Sequence, residues 1–333
     1  MRCPALGWAA DQQGGESLSA SALTSINALG LLNEFYADEH PPCYGNCSSW
    51  GNNKLSYFDF IQSPRGTGWY IDRPKFDLMF RKKAIAAGVN FITTNSIATL
   101  QQNEGAWNYK HEGNAIGAKV IIDASGRQSW LSRQLGIKRI VEDKQVAIVT
   151  LVQGGEPLKN LHSMVEAVSD GWWYVADAGN QVVCIFFTDP DLHQRAELTD
   201  PDYWIAKKRE TIFVKHRVQA GLYQLVKPPE LTSAASSSLE QYAGRGWLVA
   251  GDAACAMDPL SSHGIAFALC SGIDAGLAAA RNLNGDQSAG DEYDQKLRLA
   301  AQIYKEQRLT IYQEETRWPE APYWQRRHSC VSA

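Results

Sequence analysis

The sequence predicts an α/β fold carrying an inserted antiparallel sheet, and three stretches carry that expectation. Trp247 to Ala250 is a short apolar run that meets Gly251-Asp252, then a turn, then a long small-residue helix, the order of a buried strand feeding a ligand-binding helix start. Arg73 to Asp123 alternates a helix with strands, as a layered sheet does. Gln145 to Thr188 instead sets several strands at short spacing, the pattern of a separate antiparallel layer.

Taken in chain order, Met1 to Gly15 holds Gly7, Gly14 and Gly15 without an apolar strand before them, and Ala20 to Leu29 is an amphipathic helix closed by Gly30. Pro41-Pro42 makes Cys43 to Cys47 a rigid loop. Its C-x-x-x-C spacing with His40 upstream has no second pair to complete a metal set, so no metal is expected. Pro74 to Ala87 is a helix with Phe76, Met79, Phe80 and Ala84 on one side and Gly88 as its stop. Strands are expected at Val89 to Thr94, Ile97 to Leu100, Trp107 to His111 and Lys119 to Asp123, with Glu104-Gly105 and Glu112-Gly113-Asn114 as turns. Gln145 to Val152, Ser163 to Val168, Trp172 to Ala176 and Gln181 to Thr188 form the inserted sheet; Tyr203 to Gln219 and Asp291 to Arg317 are helical. The chain divides into a discontinuous cofactor domain, 1–140 with 236–333, and a substrate domain, 141–235.

The segment Gly251 to Ile265 carries the chemistry. Asp252 places a carboxylate at a strand end, Asp258-Pro259 forces a turn because the residue before proline avoids the helical region, and Ser261 to Gly264 supply hydroxyls and bare backbone at the start of a helix reaching about Arg281. A helix start offers unpaired amides and partial positive charge, and a nearby carboxylate accepts sugar hydroxyls. Together they suit a cofactor with a polyol chain and a ring that turns anionic on reduction, a flavin. The candidate contacts are Gly251, Asp252, Pro259, Ser262, Gly264 and Ile265, with Asp123 at a strand end, Arg73 at a helix start seeking an outside anion, and His263 as an acid or base that titrates near neutrality. Trp172 and Trp173 are candidates for stacking a flat substrate.

These motifs resemble a known superfamily. Gly251-Asp252 with Asp258-Pro259-Leu260 to Gly264, the "DRxxFD" pattern in Asp72-Arg73-Pro74-Lys75-Phe76-Asp77, and Asp123-Ala124-Ser125-Gly126 look like the FAD-dependent monooxygenases with two dinucleotide-binding domains. Gly15-Glu16-Ser17-Leu18 and Arg317-Trp318 through Arg327 look like the tryptophan-halogenase-like branch, in particular the maturation flavoproteins of quinone-cofactor oxidases. The resemblance spans roughly residues 15 to 328. It implies an FAD/NAD(P)-binding, aromatic-hydroxylase-like fold, FAD as cofactor, NAD(P)H or another reductant, and hydroxylation of a tryptophan-like substrate, including one carried by a partner oxidase, through a flavin C4a-hydroperoxide. Members open with a strand and a G-x-G-x-x-G turn. Residues 1–15 lack that spacing, so the N-terminal βαβ unit is expected to be missing and FAD to be held weakly or not at all.

Two other functions stay open. A flavin-dependent halogenase carries W-x-W-x-I-P and a lysine; here the matching place reads Trp172-Trp173-Tyr174-Val175-Ala176-Asp177, and Lys54 is the one lysine between Leu31 and Pro74. A non-catalytic relative that binds a partner is the third reading. With 333 residues, 44% hydrophobic, 20% charged and a net charge of −4, the composition is that of an ordinary globular chain, and the scattered Lys and Arg argue against nucleic acid. Seven spread cysteines do not form a disulfide framework. No apolar run near ~20 residues is read for a membrane span and residues 1–10 lack a signal pattern, so a cytoplasmic location is expected.

Overall fold

A computed structural model describes residues 2–5, 16–60, 66–93, 100–103, 106–111, 114–154, 162–219 and 222–329. Parallel pairing holds the cofactor side together. Ile121–Asp123 lies beside Trp247–Val249, and Arg2–Ala5 lies beside Asn90–Thr93. A strand therefore forms where residues 1–15 were read as having none; its pairing is through backbone, which needs no apolar side chains. Gly7, Gly14 and Gly15 lie outside the described residues, as do Glu104-Gly105, Glu112-Gly113 and residues 97–99. Leu100–Asn103, Ala106–His111 and Asn114–Ala118 make a three-stranded antiparallel excursion, with Asn114 beginning a strand rather than closing a turn.

The inserted sheet has eight strands. Its order runs Tyr223–Leu225, Val146–Gly154, Gln181–Thr188, Gly171–Ala178, His162–Val168, Gly45–Ser49, Ser56–Asp59, with Glu230–Ser233 also on Val146–Gly154. It thus reaches beyond 141–235 and takes in Gly45–Ser49, part of the segment read as a rigid loop. Gly45–Ser49 joins parallel to His162–Val168, and every other pairing in the sheet is antiparallel. One face packs Ile148, Trp173, Phe186 and Trp204; the other packs Ala147, Trp172, Phe187, Tyr323 and Trp324.

The helix expected over 203–219 breaks into Pro201–Arg209 and Val214–Arg217. Glu166, buried on the sheet, causes the break: its carboxylate accepts the amides of Ile212, Phe213 and Val214, the last at 2.8 Å, and so starts a new helix there. The long C-terminal helix is Ala289–Gln313, ending before Arg317. Buried Glu315 holds the exit, accepting the Gly51 amide at 2.7 Å and pairing with Arg317 at 2.6 Å. Pro322–His328 then lays Tyr323 and Trp324, both fully buried, against the sheet.

Gly264–Leu283 amends the membrane reading. Its 20 residues are long and apolar enough to cross a bilayer, and only 22% of its most apolar window is buried. In the fold its inner side, Ser271, Ala275, Ala278 and Ala279, packs against the Trp247–Val249 layer, where small side chains let the backbone approach.

Candidate functional site

The site grows from the end of a buried strand. Trp247–Val249 is wholly buried, and the Tyr293 hydroxyl donates to the Val249 carbonyl at 2.8 Å, locking the strand to the C-terminal helix. The chain then turns sharply at Gly251, whose φ of +61° is one that side chains disfavour and whose added Cβ would lie 3.4 Å from Ala268. The Gly251 amide donates to Ser271 Oγ at 3.0 Å, tying the turn to the helix behind it. Asp252 follows, with 37% of its side chain accessible and Oδ2 3.6 Å from the Arg127 Nε. Burial raises the Asp252 carboxyl pKa, and Arg127, Arg139 and Arg73 oppose the rise.

The second half is the turn Asp258 to Gly264. Asp258 is buried, and its Oδ1 accepts the Leu260 amide at 2.9 Å, capping the short turn Pro259–Ser261. Its Oδ2 accepts from the Tyr312 hydroxyl at 2.8 Å and Gln145 at 3.3 Å, and lies 3.5 Å from Arg308. Ser262 takes a left-handed conformation, φ +51°, and the chain enters Gly264–Leu283 with no side-chain cap. The first amides of that helix stay open to a ligand, and nothing lies within 4 Å of where a Gly264 Cβ would stand. An uncapped helix start beside open space, with an accessible carboxylate at Asp252, fits the ring and polyol half of a flavin.

The remaining sequence candidates divide. His263 sits exposed at the helix N-cap, its amide donating to Ser261 Oγ at 3.3 Å. Ile265 lends its amide to the helix start while its side chain packs with Leu18, Ile26 and Phe76. Asp123 is buried at its strand end, where one oxygen accepts the Ser125 amide at 2.9 Å and the other the Leu131 amide at 2.9 Å. Arg73 pairs within the chain with Glu16 at 2.9 Å and Asp77 at 2.8 Å. Trp172 and Trp173 are buried, stacked on Phe187 at 3.9 Å and on Phe186 at 4.8 Å, and neither offers a face to a substrate. Lys54 is exposed in the turn between Gly45–Ser49 and Ser56–Asp59.

Sequence reasoning passed over two arginines. Arg127 donates to the carbonyls of Ala235 and Met257, and Arg139 reaches the carbonyls of Asp252 and Ala253, at 2.8 and 3.2 Å. They hold both turns from beneath. Arg127 directly follows the Asp123-Ala124-Ser125-Gly126 motif and was within reach of the reading; Arg139 has no local signal.

Comparison with known proteins agrees with this geometry. A family model described as tryptophan halogenase matches residues 59–331. LodB of Marinomonas mediterranea, an FAD-dependent oxidoreductase by name, is 28% identical over 327 residues, covering 95% of this chain and 86% of its own. Among solved structures, the flavin-dependent halogenase CmlS superposes with a TM-score of 0.84 at 18% identity, over 99% of this chain and 62% of that one. The peptidyl tryptophan dihydroxylase QhpG, essential for tryptophylquinone cofactor biogenesis, superposes with a TM-score of 0.76 at 21% identity, over 95% and 70%. The fold is that of the FAD-dependent halogenases and hydroxylases, a mixed α/β body with an antiparallel insert.

Proposed function

We propose, from the premise that the chain belongs to the tryptophan halogenase family of FAD-dependent oxidoreductase enzymes, that it is a monooxygenase adding oxygen to a tryptophan-like ring borne by a protein. The names of LodB and QhpG support an oxidative role, the latter on a peptidyl tryptophan. The observation that carries oxygenation over halogenation is the strand Gly171–Ala178. Its sequence departs from the W-x-W-x-I-P pattern, both its tryptophans are core residues, and Lys54 stands on an exposed turn.

Reduced flavin, when bound, supplies the activated oxygen. The protein's part is placement. Asp252 accepts the polyol hydroxyls, and the amides at Gly264 and Ile265 favour the ring edge that becomes anionic. Asp258 fixes the turn through Leu260, and the apolar sheet face beyond it keeps water from the reacting ring. His263, exposed at the helix start, would be the group that moves a proton there.

The test uses the full chain with FAD, a reductant, labelled dioxygen and a tryptophan-containing peptide, with and without chloride or bromide. Mass spectrometry is expected to find labelled oxygen on the peptide irrespective of halide. Halide incorporation that disappears in Lys54→Ala would make the protein a halogenase; no turnover on any indole would favour the partner-binding relative.

A further inference from the structure

Trp172, a sequence candidate for stacking a substrate, is buried, and its indole N–H has a partner in the core. It donates to the Tyr312 hydroxyl oxygen at 3.2 Å. That hydroxyl donates in turn to Asp258 Oδ2 at 2.8 Å, and Asp258 Oδ1 accepts the Leu260 amide at 2.9 Å. A second acceptor for the Tyr312 proton, Gln145 Oε1, lies at 3.3 Å, but it already accepts from Tyr323 at 2.6 Å and Arg327 at 3.1 Å. An indole N–H only donates and an ionised carboxylate only accepts, so the chain of bonds has one direction, from the sheet to the turn. Trp172, Tyr312, Gln145 and Asp258 are all buried, and bonds in such surroundings polarise one another and are electrostatically stronger than in water. Burial, with the Asp258 charge, pushes the Tyr312 hydroxyl well above its usual range, so it keeps the proton that it donates.

Three elements remote in sequence meet here: the inserted-sheet strand Gly171–Ala178, the end of the helix Ala289–Gln313, and the turn Pro259–Ser261. The helix is patterned for the contact. Tyr304, Arg308 and Tyr312 recur every four residues and so share one face. All three reach Asp258: Tyr304 accepts its amide, Arg308 lies 3.5 Å from Oδ2, and Tyr312 donates to Oδ2.

We propose that Tyr312 and Trp172 are positioning residues for the flavin: through Asp258, the inserted sheet sets where the turn Pro259–Ser261 and the uncapped amides after it stand against the ring. This rests on the flavin reading of that turn and adds a control from outside it. A role in packing alone would give a different result, because losses would then follow the missing ring volume and would not depend on the Asp258 carboxylate.

A mutant cycle on the full chain, titrated by fluorescence with FAD carried to millimolar concentration, tests this. Tyr312→Phe removes the hydroxyl and keeps the ring, and is expected to weaken FAD binding about tenfold; Trp172→Phe, at the far end of the chain of bonds, about threefold. In an Asp258→Asn background the Tyr312→Phe loss should shrink below about twofold, because the charge on which it acts is gone. Hydrogen exchange of the FAD-free chain reads the same arrangement without cofactor: amides 260–265 should exchange about tenfold faster in Tyr312→Phe. Thermal melting checks that each variant is folded. Unchanged FAD affinity in folded Tyr312→Phe, unchanged exchange at 260–265, or equal losses of affinity in the two backgrounds would each overturn the positioning role and leave the flavin reading standing. A parent chain that takes up no FAD would sink the flavin reading, and the positioning role with it.

Discussion

Asp252 draws its properties from a contest between burial, which favours the neutral acid, and three arginines, which favour the carboxylate. A charge-assisted bond from that carboxylate to a flavin hydroxyl contributes roughly 1.5–3 kcal/mol, so Asp252→Ala is expected to weaken flavin binding by about ten- to a hundredfold, read by fluorescence titration. Because the carboxyl titrates above its ordinary 3.8, the affinity should also begin to fall at a higher pH than a surface aspartate would give. His40 makes a different prediction. Buried beside Phe35 and Phe76, its Nδ1 accepts the Asp72 amide at 3.2 Å, which requires the neutral ring, and burial holds its pKa below 6.5. The unfolded chain therefore binds more protons than the folded one once pH drops below about 6.5. The stability it contributes is complete above that value and is lost as pH falls towards the folded pKa. Thermal midpoints measured from pH 7.5 to 5 should decline, and His40→Leu should flatten that decline while lowering the midpoint at pH 7.5.

At the scale of elements, the turn at Gly251 is the one most dependent on a single residue. Gly251→Ala forces a side chain into a left-handed backbone, at roughly 1–2 kcal/mol. A lower unfolding temperature with normal far-ultraviolet spectra is the expected result; an unchanged temperature would mean that the turn relaxes freely. This element was legible in the sequence because its signals are local: an apolar run, a glycine, an Asp-Pro pair and a small-residue helix follow one another within one segment. Gly45–Ser49 was not. Its residues, Gly45-Asn46-Cys47-Ser48-Ser49, alternate too weakly to announce a strand, and the partner that makes them one is remote, with Asn46 accepting from Ser163 Oγ 117 positions later. Glu166 was equally silent, since an acid in an apolar strand declares its purpose only when the amides of Ile212 to Val214 arrive above it. The aromatic pair Trp172-Trp173 was legible as part of a strand, but its burial was not, because only cross-strand packing puts the two rings into two separate cores.

For the whole molecule, the parallel join between Gly45–Ser49 and His162–Val168 bears on how the protein comes to exist. A contact of such long range closes late, because the loop entropy must be met before the pairing stabilises it. Emerging from a ribosome at about 5–20 residues per second, the early strand waits roughly 6–23 s for its partner. Through that interval Tyr57 and Phe58 lie on an unfinished edge, open to self-association or to a chaperone. Pulse-labelled hydrogen exchange during refolding should show amides 45–49 gaining protection no earlier than those of His162–Val168, and Gly45→Ala, whose added Cβ would meet the Phe58 carbonyl at 2.3 Å, should lower the soluble yield more than the midpoint of the protein that does fold. The early strand is thus paired only once residues 162–168 have been made, and the yield of folded protein depends on the time the two halves of that join spend apart.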